Sequence, residues 1–132
     1  MKVYIATKLE NWQAHNEVRD WLLRAGHRIS YDWTTHGPVF GKGLATVREV
    51  AVLEFEGVKA ADIVIVLWPG GRGTQTELGM AIALQKPVYF VSTVEAHHQS
   101  TKETCAFYHH PSVRLFVSLA DLYTRLELFN AN

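Results

Sequence analysis

Asp62-Ile63-Val64-Ile65-Val66-Leu67-Trp68-Pro69-Gly70-Gly71-Arg72-Gly73-Thr74-Gln75-Thr76-Glu77-Leu78-Gly79-Met80-Ala81 reads as strand, glycine loop and helix without interruption. Ile63 to Leu67 is a continuous β-branched and apolar run, the pattern of a strand buried on both faces of a parallel sheet. Pro69 ends the strand, and Gly70, Gly71 and Gly73 are expected to form a loop that takes positive φ and lets a ligand approach bare backbone. A helix follows, with small and apolar residues at Leu78, Ala81, Ile82 and Leu84. In open α/β sheets the ligand crevice lies beyond the carboxyl ends of the strands, so this loop is where a site belongs. Glu77 is expected in the first turn of the bordering helix.

The same alternation extends outward in both directions. Lys2 to Ala6 is a short strand, followed by a helix over Glu10 to Ala25 whose apolar side uses Trp12, Val18, Trp21, Leu22 and Ala25. Asn11 is its expected N-cap and Gly26 its stop. His27 to Trp33 reads as a second strand, and the stretch from Thr34 to Gly43 as a loop able to cover the site. Leu44 to Ala61 reads as a helix weakened slightly by Gly57. Lys86 to Val91 is the fourth strand, with Pro87 where a missing donor matters least. From Ser92 to Pro111 periodicity is lost, which leaves a long loop, a short helix or an oligomer contact open. Val113 to Val117 is a fifth strand, and a last helix runs to about Phe129, with Ser118 as N-cap and Asp121 completing a box-like pattern. The expected architecture is α/β: a Rossmann-like (flavodoxin-like) three-layer sandwich with a five-stranded, mostly parallel sheet in one domain.

The chain has 132 residues, a 48% hydrophobic and a 20% charged fraction, which is ordinary globular composition. Lys+Arg and Asp+Glu are both 13, so no field gathers a nucleic acid polymer or an acidic membrane surface. No apolar run reaches the ~20 residues that span a bilayer. Cys105 is alone, which excludes an intrachain disulfide, and no signal-peptide pattern is present, so the cytoplasm is the expected compartment. The neutral surface leaves self-association open, and Phe107 and Tyr108 are candidates for a subunit contact.

The strand assignment filters the polar residues, because only those at carboxyl ends face the crevice. Asp62 precedes its strand and is read as structural. Thr7 and Lys8 after the first strand, and Asp32 and Trp33 after the second, pass the filter. Trp33 either stacks on a flat ring or closes the core beneath the following loop. Glu77 has two readings. Thr74-Gln75-Thr76-Glu77 is a capping box in which both side chains merely satisfy helix donors, or Glu77 is a carboxylate kept ionised by the helix N-terminus and suited to nucleophilic attack. Arg72 among the glycines, with Lys8, is suited to holding a phosphate. The pairs His97-His98 and His109-His110 lack metal-ligand spacing, so no metal is expected, and His36 is the one histidine placed near a ligand.

Lys2-Val3-Tyr4-Ile5-Ala6, Ala61-Asp62-Ile63-Val64-Ile65-Val66 and Gly73-Thr74-Gln75-Thr76-Glu77-Leu78-Gly79-Met80-Ala81 through Lys86-Pro87-Val88 resemble, in order and spacing, the nucleoside 2-deoxyribosyltransferase superfamily. That group includes the 2′-deoxynucleoside 5′-monophosphate N-hydrolases and the cytidine monophosphate hydrolases. The resemblance implies that Glu77 is the nucleophile and that Tyr4 lies beside it. The family places an aspartate in the helix before the third strand, and the corresponding residue here is Glu54. The phosphate-cleaving branch has a glycine-rich turn after the first strand, where this chain has Thr7-Lys8-Leu9-Glu10. Pro69-Gly70-Gly71-Arg72-Gly73-Thr74-Gln75-Thr76-Glu77 is also similar to the Pro-Gly-Gly-x-Gly-Thr-x-x-Glu motif of the phosphoribohydrolases that release cytokinin bases. Both resemblances imply cleavage or exchange of an N-glycosidic bond in a small nucleoside or nucleotide, without a metal or redox cofactor. The first also implies a homodimer or larger assembly. The competing expectation is a non-catalytic nucleotide-sensing module in which Glu77 only caps its helix.

Overall fold

The computed structural model describes residues 1–130. Five strands form one sheet in the order β2-β1-β3-β4-β5: β1 (Lys2–Ala6), β2 (Arg28–Ile29), β3 (Ile63–Leu67), β4 (Val88–Val91) and β5 (Val113–Phe116). Every neighbouring pair is parallel. The crossovers are carried by α1 (Trp12–Arg24), α2 (Leu44–Ala60) and α3 (Arg72–Ala83), and α4 (Leu119–Asn130) follows β5. This is the flavodoxin-like strand order, and its switch point lies between β1 and β3, where the connections leave to opposite sides.

Alternation along the strands divides the core in two. Val3, Ile5, Ile63, Ile65 and Leu67 point to one face, where they pack with Val18 and Leu22 of α1 and Leu122 and Leu126 of α4. Tyr4, Ala6, Val64, Val66 and Phe90 point to the other, against Val58 of α2, Leu78 and Ala81 of α3, and Tyr108. Both faces are covered, and all five residues of β3 are buried, as its unbroken apolar sequence requires. Asp62 lies at the amino edge, where its Oδ2 accepts the Lys2 backbone N–H at 2.7 Å.

Several boundaries differ from the sequence expectation. The strand expected over His27 to Trp33 is confined to Arg28–Ile29, because the chain then turns into a 3-10 segment at Trp33–Thr35. The Asp32 carboxylate accepts the Thr34 N–H at 2.9 Å, and the Trp33 indole N–H donates to the Ile5 carbonyl at 2.8 Å. Helix α1 begins at Trp12 after a 3-10 turn at Leu9–Asn11. Asn11 makes no side-chain cap; its amide donates instead to Thr7 Oγ1 at 2.9 Å. Trp12 is exposed, and His15 takes the buried place beside Val18 and Leu22. The aperiodic stretch after β4 contains 3-10 turns at Glu95–His98 and Ala106–His109. At α4 the expected cap is present, with Ser118 Oγ accepting the Asp121 N–H at 3.2 Å.

Gly57 weakens α2 by propensity but is required by packing. A Cβ there would sit 2.6 Å from Tyr31 Cβ and 3.0 Å from Tyr4 Cε2, so only glycine lets α2 lie this close to β1.

Candidate active site

Beyond the carboxyl ends of β1 and β3 lies a cavity of about 460 Å³. That is within the ~300–1,000 Å³ typical of small-molecule sites. Thr7, Lys8, Leu9 and Glu10 come from the turn after β1, and Trp33 and His36 to Phe40 from the loop before α2. Val47, Val50, Ala51 and Glu54 come from α2, and Gly71, Arg72, Gly73, Thr74 and Glu77 from the start of α3. The glycine-rich loop from Thr34 onward therefore forms one wall, as expected. Sequence reasoning passed over the apolar wall of α2. Its signal was present in the spacing of Val47, Val50, Ala51 and Glu54, which places them on one side of the helix.

The glycines act differently from the sequence expectation. Gly70, Gly71 and Gly73 do not adopt positive φ; that conformation occurs at Gly37, Gly41 and Gly43 in the covering loop, and at Gly26. Gly71 is extended and serves as the N-cap of α3, so the helix starts at Arg72. Gly70 does not line the cavity; a Cβ there would meet Thr74 Cγ2 at 2.9 Å. Thr74 Oγ1 accepts the Gly71 N–H at 3.0 Å, so the cap is formed by Gly71 and Thr74. Glu77 is thereby excluded from the capping box and falls in the second turn of α3.

Glu77 is only 6% exposed, and the Tyr4 hydroxyl donates to its Oε2. Among the described residues no donor is bonded to Oε1, which leaves that oxygen for the cavity Glu77 lines. Burial pushes the Glu77 carboxyl up to about 8; the Tyr4 hydrogen bond acts against that rise and the nearby Glu54 charge adds to it. This corrects the expectation that the helix N-terminus keeps Glu77 ionised, because the dipole contribution of roughly 0.3–1 kcal/mol fades after the first turn while burial does not. Tyr4 is wholly buried and does not line the cavity. Burial, reinforced by Glu77, raises its phenol far above the ordinary tyrosine range, so it stays a donor. Its place is behind Glu77, holding the carboxyl.

Glu54 lines the cavity with its carboxyl raised by burial and partly offset by His36, whose Nε2 is 3.8 Å from Glu54 Oε1. Asp32 does not line the cavity. Its carboxylate accepts from Arg19 at 2.9 Å and from Thr34, and these bonds hold it below the ordinary carboxylate range against the opposing effect of burial. Trp33 is both core and lining: its indole N–H is bonded to Ile5 and its ring borders the cavity. Thr7 lines the cavity too, with its hydroxyl donating to the Pro69 carbonyl at 3.0 Å and so joining the turns after β1 and β3. Lys8 and Arg72 stand at the mouth formed by those turns. No group of three or more potential metal ligands is present among the described residues.

The family described as nucleoside 2-deoxyribosyltransferase matches residues 3–116. The chain belongs to the nucleoside 2-deoxyribosyltransferase family. That span contains every residue of the cavity wall. Solved structures of the same fold include a 2-deoxyribosyltransferase from Bacillus psychrosaccharolyticus, at 22% identity and a TM-score of 0.71, covering 92% of this chain and 90% of that one. A CMP N-glycosidase from Clostridium botulinum aligns at 13% identity and a TM-score of 0.64, over 96% and 99% of the two chains. A conserved protein from Enterococcus faecalis V583 aligns at 17% identity and 0.66, over 97% and 98%. Comparison with curated proteins gives no match.

Proposed function

We propose that this member of the nucleoside 2-deoxyribosyltransferase family cleaves or exchanges the N-glycosidic bond of a nucleoside or its 5′-monophosphate through a covalent glycosyl-Glu77 intermediate. The observation that carries this reading is the pairing of Glu77 with Tyr4 on the wall of a cavity of nucleoside size. Tyr4 fixes one carboxyl oxygen, and the other is left to the cavity. Once ionised, Glu77 attacks the anomeric carbon as the base departs through an oxocarbenium-like transition state. Water, or a second base, then takes the glycosyl group. A proton reaches the departing base from the α2 side, where Glu54 stands, and Trp33 offers a ring face to the base. No metal or redox cofactor enters this chemistry.

A phosphate at the 5′ position fits the mouth of the cavity. Arg72 opens α3 beside Gly71 and Gly73, and Lys8 faces it from the turn after β1, so a guanidinium, an ammonium and helix N–H groups converge there. The test is release of free base from a panel of nucleosides and 5′-monophosphates, with and without an acceptor base, by native protein, Glu77→Gln and Arg72→Ala. Native protein is expected to release base, Glu77→Gln to lose at least ~100-fold, and Arg72→Ala to weaken the monophosphate reaction selectively. Near-native turnover by Glu77→Gln would sink the covalent mechanism. A nucleoside preference untouched by Arg72→Ala would remove the phosphate site.

A further inference from the structure

We propose that His36 is the catalytic residue that protonates the departing base through Nε2, with Glu54 as the carboxylate that holds the imidazolium. This rests on the N-glycosidic reading and deepens it. His36 lies in the loop between β2 and α2 and lines the cavity together with Glu54 and Glu77. Its ring is fixed from behind. Nδ1 is 2.7 Å from the Gly37 carbonyl oxygen, which can only accept, so Nδ1 carries a hydrogen. The Lys42 ammonium donates to the His36 carbonyl at 3.1 Å, and the ring stacks against Tyr31 with centroids 6.0 Å apart.

The other nitrogen is the one left over. Nε2 is shielded from solvent and has no hydrogen-bond partner, and the nearest acid, Glu54 Oε1, is 3.8 Å away. That separation is too long for a hydrogen bond but close enough to stabilise a charged ring. A buried polar atom left without a partner in an otherwise satisfied loop marks a group whose partner arrives with a ligand. Imidazole is also the side chain suited to giving a proton in one half-reaction and retaking it in the other.

In the first half, Glu77 Oε1 forms a bond to the anomeric carbon while the carbon–nitrogen bond breaks. The electron pair passes into the base, and the Nε2 proton of His36 moves to the base, which leaves neutral. In the second half, water attacks the anomeric carbon, the bond to Glu77 breaks, and the water's proton goes to Nε2. The imidazolium is restored and the sugar is released with a hydroxyl.

The experiment compares two leaving groups on the same sugar: the best natural nucleoside or nucleotide, whose base needs a proton, and the corresponding 4-nitrophenyl glycoside, whose phenolate leaves without one. His36→Gln is expected to lose roughly 100-fold or more on the first and to remain within about 10-fold of native protein on the second; His36→Asn provides a second variant with the same split. The nitrophenyl substrate also reports that the variant is folded. Glu77→Gln is expected to fail on both. A His36 variant equal to native protein on both substrates, or equally impaired on both, overturns the proposal while Glu77 stands. A split shown by Glu54→Gln but not by His36→Gln assigns the proton to Glu54 instead, and also overturns it. Native protein that leaves both substrates intact, or a Glu77→Gln variant with native turnover, overturns the underlying N-glycosidic reading and this proposal with it.

Discussion

The proton on Glu77 links activity to stability. Folding raises this carboxyl from 4.5 to about 8, so between those limits the native state binds a proton that the unfolded chain does not. Stability from this group is therefore complete below the unfolded value and is lost as pH rises through about 8. Each pH unit across that window is worth about 1.36 kcal/mol, which makes the whole loss on the order of a few kcal/mol. Attack on the anomeric carbon has the opposite requirement, since it needs the ionised form. The native protein is expected to lose stability and gain kcat/KM together as pH goes from about 5 to about 8. Glu77→Gln keeps an oxygen to accept from Tyr4 but no titrating group, so its stability is expected to fall less steeply and to exceed that of native protein at the alkaline end. Denaturant melts at several pH values check this, and parallel curves for the two proteins would show that Glu77 does not hold the proton.

At the scale of elements, α2 shows how a local defect serves the site. Replacing Gly57 by Ala gains about 1 kcal/mol of helix propensity, but places a Cβ 2.6 Å from Tyr31 Cβ and against the Tyr4 ring. Neither contact is relieved by rotating a flexible tail, and overpacking costs about 1–3 kcal/mol. Gly57→Ala is therefore expected to lower the urea midpoint, and to lower turnover further by displacing the tyrosine that holds Glu77. A raised midpoint would show that α2 has room to move away. This packing role was not legible in the sequence, because it depends on which turn of α2 meets β1. The parallel sheet was legible, since β3 shows five consecutive apolar residues and glycines and capping residues punctuate the rest. Helix α3 starts earlier than its sequence signal: Thr74-x-x-Glu77 fits a capping box, and only the extended backbone of Gly71 moves the helix start back and frees Glu77. Asp32 ranks as a crevice residue by its place after β2, which cannot show Arg19 reaching across to it. The approach of His36 to Glu54 was not legible either, because it spans a loop whose path no periodicity encodes.

For the whole molecule, the main unexplained feature is the outer side of α2. Leu44, Val52 and Leu53 are 68%, 60% and 40% exposed, and Phe55 and the neighbouring Phe40 add further apolar surface. A helix this apolar on its outer face has a partner more often than not. The partner we expect is a second copy, because the face is self-complementary. Arg48 and Glu56 are exposed and lie symmetrically about Val52, so antiparallel packing of two α2 helices across a two-fold axis brings Arg48 of each copy to Glu56 of the other. The stretch from Ser92 to Pro111 is a poorer candidate than its sequence suggested, since Tyr108 is buried, stacks on Phe90 and accepts from the Gln75 amide at 3.0 Å. Light scattering at about 10 µM is expected to give the mass of a dimer or larger assembly for native protein. Val52→Glu is expected to be monomeric with unchanged circular dichroism, and Arg48→Glu to be weakened and then restored by adding Glu56→Arg. Since α2 also carries Glu54 in the cavity wall, dissociation is expected to lower turnover too. A monomeric native protein would refute the assembly, whereas a native dimer indifferent to Val52→Glu would move its interface away from α2.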